Sequence, residues 1–278
     1  MHIVAAMILG CIMKEVRYIK KTNVLKEMKL ALVADIHNKP AKDIIRSLKD
    51  NKPDYITICG DLLSARTNKG IYYEVAGSSQ HFRGAPNASR FLYDAVKISK
   101  VILSTGNHEL YLDEEDKAWL KQIGVIYLNN EYISIQGLVF GGLSSPYNVL
   151  AGTGNAKGLE EHKKRWNLIF DSFDYSWLPA FCSQKGCKIL LSHHPEIYEQ
   201  HLKKLNGIDL ILSGHAHGGQ IRLFGHGLYA YGQGWFPKYT GGMYDGKLIV
   251  SRGLSNTSRI PRIGNPTELV YIDLIPIK

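Results

Sequence analysis

Aspartate, asparagine and histidine recur in this sequence at one kind of place, directly after short apolar runs. Gly106-Asn107-His108-Glu109 comes after Val101-Ile102-Leu103, and Asp35-Ile36-His37 comes after Leu30-Ala31-Leu32-Val33-Ala34. Gly60-Asp61 follows Tyr55-Ile56-Thr57-Ile58-Cys59, and His193 follows Lys188-Ile189-Leu190-Leu191-Ser192. His215-Ala216-His217 follows the run from Ile208 to Gly214. Open α/β sheets carry their chemistry at strand ends, and packing alone does not select strands that all end in oxygen or imidazole donors.

The donor types suggest one metal site. Two divalent cations about 3.5–4 Å apart need a bridging anion and further donors on each side. Asp61 is the natural bridge, because each carboxylate oxygen can serve one cation. Asp35 and His37, two residues apart, can converge if the chain turns there, and His215 and His217 repeat the arrangement. Asn107 offers a neutral carbonyl oxygen and His193 another nitrogen. Imidazole and carboxylate without thiolate suit Mn, Fe or Zn, so the expected cofactor is two divalent metal ions, with Mn the one to supply in vitro. A lone His or Asp at a strand end is ordinarily a cap or a core residue; the ordered set carries the reading.

The elements that must position these residues alternate. Glu15 to Thr22 reads as an edge strand and Lys29 to Ala34 as the first central strand. Ala41 to Lys49 keeps Ile44, Ile45 and Leu48 at helical spacing, and Tyr55 to Cys59 follows as a strand. Strand, helix, strand is the crossover unit of a layered α/β fold. A helix capped by Ser89 is expected to run to Lys97, another from Asp113 to Gln122, and a meander of Val125 to Leu128, Tyr132 to Ile135 and Leu138 to Gly142. Further helices are expected at Ala156 to Phe170 and Glu196 to Lys204. In the glycine- and aromatic-rich tail, Asp245-Gly246 marks a hairpin, Glu268 to Ile275 reads as a strand, and these antiparallel strands would form a second sheet. The aperiodic stretch from Leu62 to Asn87 is either a substrate loop, with Tyr72, Tyr73, His81 and Arg83 as candidate contacts, or an irregular surface loop.

Composition bounds the function. With 278 residues, 45% hydrophobic and 21% charged, the chain can bury one large core and has no signature of disorder. The formal charge is +9, but no basic block is longer than Lys163-Lys164-Arg165, so a diffuse basic surface is favoured and no dedicated nucleic-acid domain is expected. The four cysteines (Cys11, Cys59, Cys182 and Cys187) make no disulfide framework in a chain this long and fit a reducing compartment. Met1 to Met13 is apolar apart from His2, yet a bilayer needs roughly twenty such residues. The expectation is a cytoplasmic protein with peripheral membrane contact through residues 1–21, where Lys14, Arg17, Lys20 and Lys21 would meet anionic headgroups.

Taken in order, Asp35-x-His37, Gly60-Asp61, Gly106-Asn107-His108-Glu109, His193 and Gly214-His215-x-His217 resemble the five-block signature of the calcineurin-like metallophosphoesterase superfamily, over about residues 29–220. The resemblance implies a four-layer α-β-β-α sandwich, two mixed sheets flanked by helices. Residues 1–28 would then be a hydrophobic lead-in and edge strand, and residues 29–278 the metallophosphoesterase domain. It further implies that Asp35, His37, Asp61 and His217 hold one metal, that Asp61, Asn107, His193 and His215 hold the other, and that His108 is the catalytic histidine assisting the leaving group. In Ser192-His193-His194-Pro195 the family pattern selects His193 as the ligand and leaves His194 at the rim. Glu109 either orients His108 or pairs with a surface lysine. Arg222, Arg252, Arg259 and Arg262 either meet a substrate anion or lie in solvent.

The expected activity is hydrolysis of a phosphodiester or pyrophosphate bond by attack of a metal-bridging hydroxide. Leu62-Leu63-Ser64-Ala65-Arg66-Thr67 after Asp61 departs from the metal-dependent Ser/Thr protein phosphatases and argues against that activity. Gly218-Gly219-Gln220 with Ile221-Arg222, Ser251-Arg252-Gly253-Leu254 and Arg262-x-Gly264-Asn265-Pro266 are similar to a bacterial, often membrane-anchored branch of the superfamily that includes, or is grouped alongside, UDP-2,3-diacylglucosamine hydrolases. The partner expected is therefore a small phosphate-containing substrate, lipid-linked in that second reading. A non-catalytic metal-binding scaffold of the same fold is the reading from another class.

Overall fold

Along the central strands successive side chains go to opposite faces, and both faces are apolar. The computed structural model describes residues 13–64, 81–109, 112–146, 171–257 and 260–277. Within it β2 (Met28–Val33), β3 (Tyr55–Cys59) and β4 (Lys100–Ser104) run parallel beside β5 (Val125–Tyr127). Strands buried on both sides read as continuous apolar runs and need a cover on each face. Ala31, Val33, Ile56, Ile58, Val101 and Leu103 pack outward against α1 (Lys42–Asn51), α2 (Pro86–Ala95) and α3 (Glu114–Gln122). Leu30, Leu32, Tyr55 and Ile102 pack inward against a second sheet, through Phe140, Ile189, Leu191 and Leu212.

That second sheet has β7 (Leu138–Leu143), β8 (Cys187–Ser192) and β9 (Leu210–Ser213) running parallel at its centre. β6 (Glu131–Ile135) closes one edge. Its outer face is covered by Phe173, by Leu178 and Phe181 of the short helix α4 (Leu178–Cys182), and by Ile197, Tyr198 and Leu202. The result is two six-stranded mixed sheets stacked face to face with helices outside, the layered α/β architecture the sequence implied.

Several elements differ from the sequence reading. The expected meander is divided between the sheets: β5 pairs with β4, Leu128 N–H reaches Leu103 O, and the chain then crosses at Asn129-Asn130 to start the second sheet. The tail does not form one antiparallel sheet either. Between β9 and the final hairpin lie the short strands β10 (Arg222–Leu223), β11 (His226–Gly227), β12 (Tyr229–Ala230) and β13 (Gly234–Trp235). β14 (Gly242–Tyr244) and β15 (Leu248–Val250) form the expected hairpin, but β15 joins β9 in parallel. β16 (Glu268–Pro276) returns to the first sheet, parallel to β1 (Lys14–Thr22) and antiparallel to β2. The reason is visible in β16 itself: Leu269 and Tyr271 pack outward while Val270, Ile272 and Leu274 pack inward, so it must be an interior strand.

Pro86 occupies the first turn of α2, which therefore starts three residues before Ser89, and the Ser89 hydroxyl donates to Phe82 O instead of capping. Glu196 to Lys204 is not an α-helix but a 3-10 turn, Pro195–Ile197, followed by one π turn, Tyr198–Leu202. The helix expected at 156–170 and Tyr72, Tyr73 and Arg259 lie outside the described residues. Cys59, Cys182 and Cys187 are free thiols. Among the described residues no helix is long and apolar enough to cross a membrane.

Candidate metal centre

Where the parallel strands stop, the chain turns through backbone conformations that L-residues rarely adopt. Asp35, His37, Asp61, His215 and His217 all have positive φ, at 58°, 50°, 56°, 64° and 45°. Each such residue costs on the order of 1–3 kcal/mol, and such strain clusters at functional sites. The turns are what let residues two apart direct their side chains into one space. They are fixed by crossed backbone bonds: His37 N–H to Asp61 O at 2.9 Å, Asp35 N–H to Gly60 O at 3.2 Å, and Gly214 N–H to His193 O at 3.0 Å.

Six of the seven expected ligands, all but Asn107, converge with Asp61 in the middle. His37 Nε2 lies 3.4 Å from His217 Nε2, 3.9 Å from Asp35 Oδ1 and 3.7 Å from Asp61 Oδ2. His217 Nε2 is 3.5 Å from Asp35 Oδ1. On the other side His193 Nε2 is 3.1 Å from Asp61 Oδ2, and His215 closes on the same pair. His193 Nδ1 donates to Cys59 O at 2.6 Å, which leaves Nε2 as the nitrogen that faces the carboxylates. Asn107 is buried next to Gly106 and His108, with its Oδ1 making no hydrogen bond among the described residues. His108 donates its backbone N–H to Asp61 Oδ1 and stands edge-on to His37, ring centroids 4.6 Å apart.

Glu109 does neither of the things expected of it. Its carboxylate is buried and accepts three backbone N–H groups, from Asp61 and Gly106 at Oε2 (2.7 and 2.9 Å) and from Leu63 at Oε1 (2.7 Å). It ties the Gly60-Asp61 turn to the Gly106-Asn107 turn. Glycine at both turns is explained by that closeness. A Cβ on Gly60 would come 2.4 Å from Gly106 N, and one on Gly106 would come 2.2 Å from Asp61 Oδ1.

Buried carboxylates need compensating positive charge. Burial raises the Asp35 carboxyl above the usual range. Burial would raise Asp61 too, but the His193, His108 and His37 imidazoles beside it hold it well below. Burial works against charging His193, yet the Asp61 and Asp35 carboxylates push it up to about 10. His37 and His215 are held neutral chiefly by burial, and burial and then Arg262 push His217 down to about 3. In other words, His193 takes a proton where the carboxylates call for a cation. Neutral imidazoles, carboxylates and a carboxamide oxygen, with Asp35 Oδ2 and Asn107 Oδ1 buried and unbonded, are donors that fit divalent cations.

Other expectations are corrected. His194 is not at the rim; it is buried, bonded to Ser145 Oγ through Nε2 and to Glu196 Oε1 through Nδ1. Arg262 is neither a solvated residue nor open to a substrate. It is 2% exposed behind His217, donating to Arg252 O and Ser255 O, each at 2.7 Å. Arg252 pairs with Glu268, and Arg222 donates to Gly218 O and Thr240 Oγ1. His81 and Arg83 face the start of α3, pairing with Asp116 and Asp113, and do not reach the centre. Sequence reading missed Glu196; an acid directly after His193-His194-Pro195 was its only signal.

A family model described as calcineurin-like phosphoesterase matches residues 28–219. The chain is 26% identical over 245 residues to the uncharacterized protein YpbG of Bacillus subtilis, covering 87% of this chain and 79% of that protein. It is 27% identical over 268 residues to the uncharacterized metallophosphoesterase Cj0846 of Campylobacter jejuni, covering 91% of this chain but 60% of that protein. Among solved structures, a dimetal phosphatase from Danio rerio is similar over 81% of this chain and 87% of that one, at 12% identity and a TM-score of 0.45.

Proposed function

The chain belongs to the calcineurin-like phosphoesterase family, and from that premise we propose that it hydrolyses a phosphodiester or pyrophosphate bond at a centre of two divalent cations, with Mn, Fe or Zn as the metals. The position of Asp61 carries this reading. Its Oδ2 is 3.7 Å from His37 Nε2 on one side and 3.1 Å from His193 Nε2 on the other, so one carboxylate serves two donor groups. Asp35, His37 and His217 complete the first group; Asn107, His193 and His215 complete the second.

Divalent cations held there would supply Lewis acidity, neutralising charge on a phosphoryl group and acidifying water. The side chains do the rest. The second group keeps His193 aimed through its bond to Cys59 O, and Glu109 keeps Asp61 in place. His108 is partly open to solvent, its side chain 12% exposed, and its Nε2 is 3.8 Å from Asp61 Oδ2. At that mouth it gives a proton to the leaving oxygen, a role worth roughly 10²–10⁴ in rate.

A second reading has its own support. A cavity of about 420 Å³ adjoins the centre, lined by His215 and His217 together with Ile221, Leu228, Tyr231 and Trp235. Such an apolar space favours a substrate with a large apolar substituent, of which UDP-2,3-diacylglucosamine at a membrane is one. Membrane contact through residues 1–21 belongs to this reading.

The test is hydrolysis of bis-p-nitrophenyl phosphate and p-nitrophenyl phosphate by metal-stripped protein, with Mn restored, beside His108→Ala and Asp61→Asn. Metal-dependent turnover lost in both variants, and faster on the diester, is the expected result. Folded protein that binds metal and turns over neither these compounds nor UDP-2,3-diacylglucosamine would instead support a metal-binding scaffold.

A further inference from the structure

We propose that Glu196 is a positioning residue of the metal centre, holding His215 by Nε2 so that Nδ1 is the nitrogen presented to a cation, with His194 and Ser145 holding Glu196 in turn. The inference rests on His215 being a ligand. Its basis is a buried group of side chains that the proposed chemistry does not otherwise use.

Glu196 is the middle residue of the 3-10 turn Pro195–Ile197, directly after His193-His194, and its side chain is 4% exposed. Oε1 is hydrogen-bonded to His194 Nδ1 at 3.1 Å and lies 3.3 Å from His215 Nε2, within reach of a hydrogen bond though not aligned as one here. The far nitrogen of His194, Nε2, is 2.8 Å from Ser145 Oγ, and the His194 and His215 rings stand 4.2 Å apart between centroids. The loop between β12 and β13 closes this arrangement from above. At Gly232, with φ +77°, a Cβ would come 2.2 Å from Glu196 Oε1, so the loop packs directly on the carboxylate and only glycine fits there.

The chemistry follows from what an imidazole can do. A neutral ring has one lone pair and one N–H, and the acceptor on the N–H side decides which nitrogen is free for a cation. A carboxylate only accepts, so Glu196 assigns the proton of His215 to Nε2. Two of the other candidate histidines have different outer partners. His193 donates to the carbonyl of Cys59, and His217 Nδ1 faces the Arg262 guanidinium at 3.1 Å. Glu196 thus backs the donor group that has a neutral Asn107 where the other group has Asp35.

The experiment is titration of Mn²⁺ into chelator-treated full-length protein by calorimetry, for the wild type, Glu196→Ala and Glu196→Gln, with circular dichroism to check folding. The wild type is expected to take up two equivalents. Glu196→Ala should weaken one of them by about 10–100-fold and leave the other unchanged. Glu196→Gln keeps an acceptor oxygen and should remain within a few-fold of the wild type. In Zn-loaded protein labelled with ¹⁵N-histidine, the hydrogen-bonded Nε2–H signal of His215 should disappear in Glu196→Ala and persist in Glu196→Gln. If the wild type binds two equivalents and folded Glu196→Ala binds both as tightly, the positioning role is wrong. A third equivalent that depends on Glu196 and His194 would also overturn it, making the cluster a cation site of its own. A wild type that binds no metal would remove the parent reading and this inference together.

Discussion

Glu109 Oε2 accepts the backbone N–H of Asp61 at 2.7 Å, so a buried carboxylate on one strand-end turn fixes the central aspartate of another. With Leu63 and Gly106 donating to the same carboxylate, three turn amides depend on it. Replacing Glu109 with Ala would leave those buried N–H groups unsatisfied, at about 1–3 kcal/mol each. Glu109→Ala is therefore expected to lose on the order of 3 kcal/mol or more in denaturant unfolding, and Glu109→Gln, which keeps one acceptor oxygen, less. A loss below about 1 kcal/mol for the alanine variant would show that the turns hold themselves.

Gly106 tests the same junction from the opposite side. A Cβ there meets Asp61 Oδ1 at 2.2 Å and Asp61 N at 2.8 Å, contacts that no rotamer can relieve because one partner is backbone. Gly106→Ala should displace Asp61 and weaken Mn²⁺ binding at least tenfold. Calorimetric isotherms matching those of the wild type would refute the packing argument.

Metal binding should release protons. Burial disfavours the charged form of His193, but Asp61 and Asp35 outweigh it and raise the ring to about 10 in metal-free protein. At pH 7 a cation must displace that proton, so affinity should rise with pH, up to about pH 10. The sign for stability is opposite. A raised histidine pKa contributes stability that is fully present below the unfolded value of about 6.5 and is lost as pH climbs toward 10. Calorimetry in two buffers of different ionisation enthalpy measures the release directly; equal heats in both would sink the assignment.

Trp235 is 60% exposed yet lines the cavity beside His215 and His217. Trp235→Ala should change stability by less than about 0.5 kcal/mol. If the apolar-substituent reading is right, KM for an octyl phosphodiester should rise several-fold while KM for its methyl counterpart stays put. Parallel changes for both esters would count against the cavity as a substrate subsite.

Much of this centre was legible in the chain, because its donors sit at positions that local chemistry defines. Asp35, His37, Asp61, Asn107, His193, His215 and His217 each follow an apolar run that reads as a buried strand, and the ends of parallel strands lie side by side in a layered sheet. Strand, helix and turn signals near those runs are properties of neighbouring residues, so they survive without the fold. What the sequence could not decide depends on which distant elements become neighbours. Glu109 reads as a partner for His108 or a lysine until the turn after β3 brings Asp61 and Leu63 N–H groups to its carboxylate. Arg262 reads as a surface cation until packing behind His217 buries it, and β16 joins the first sheet only because both its faces need apolar cover. Glu196 acquires its contact with His215 in the same way, from two strand ends set side by side in the second sheet.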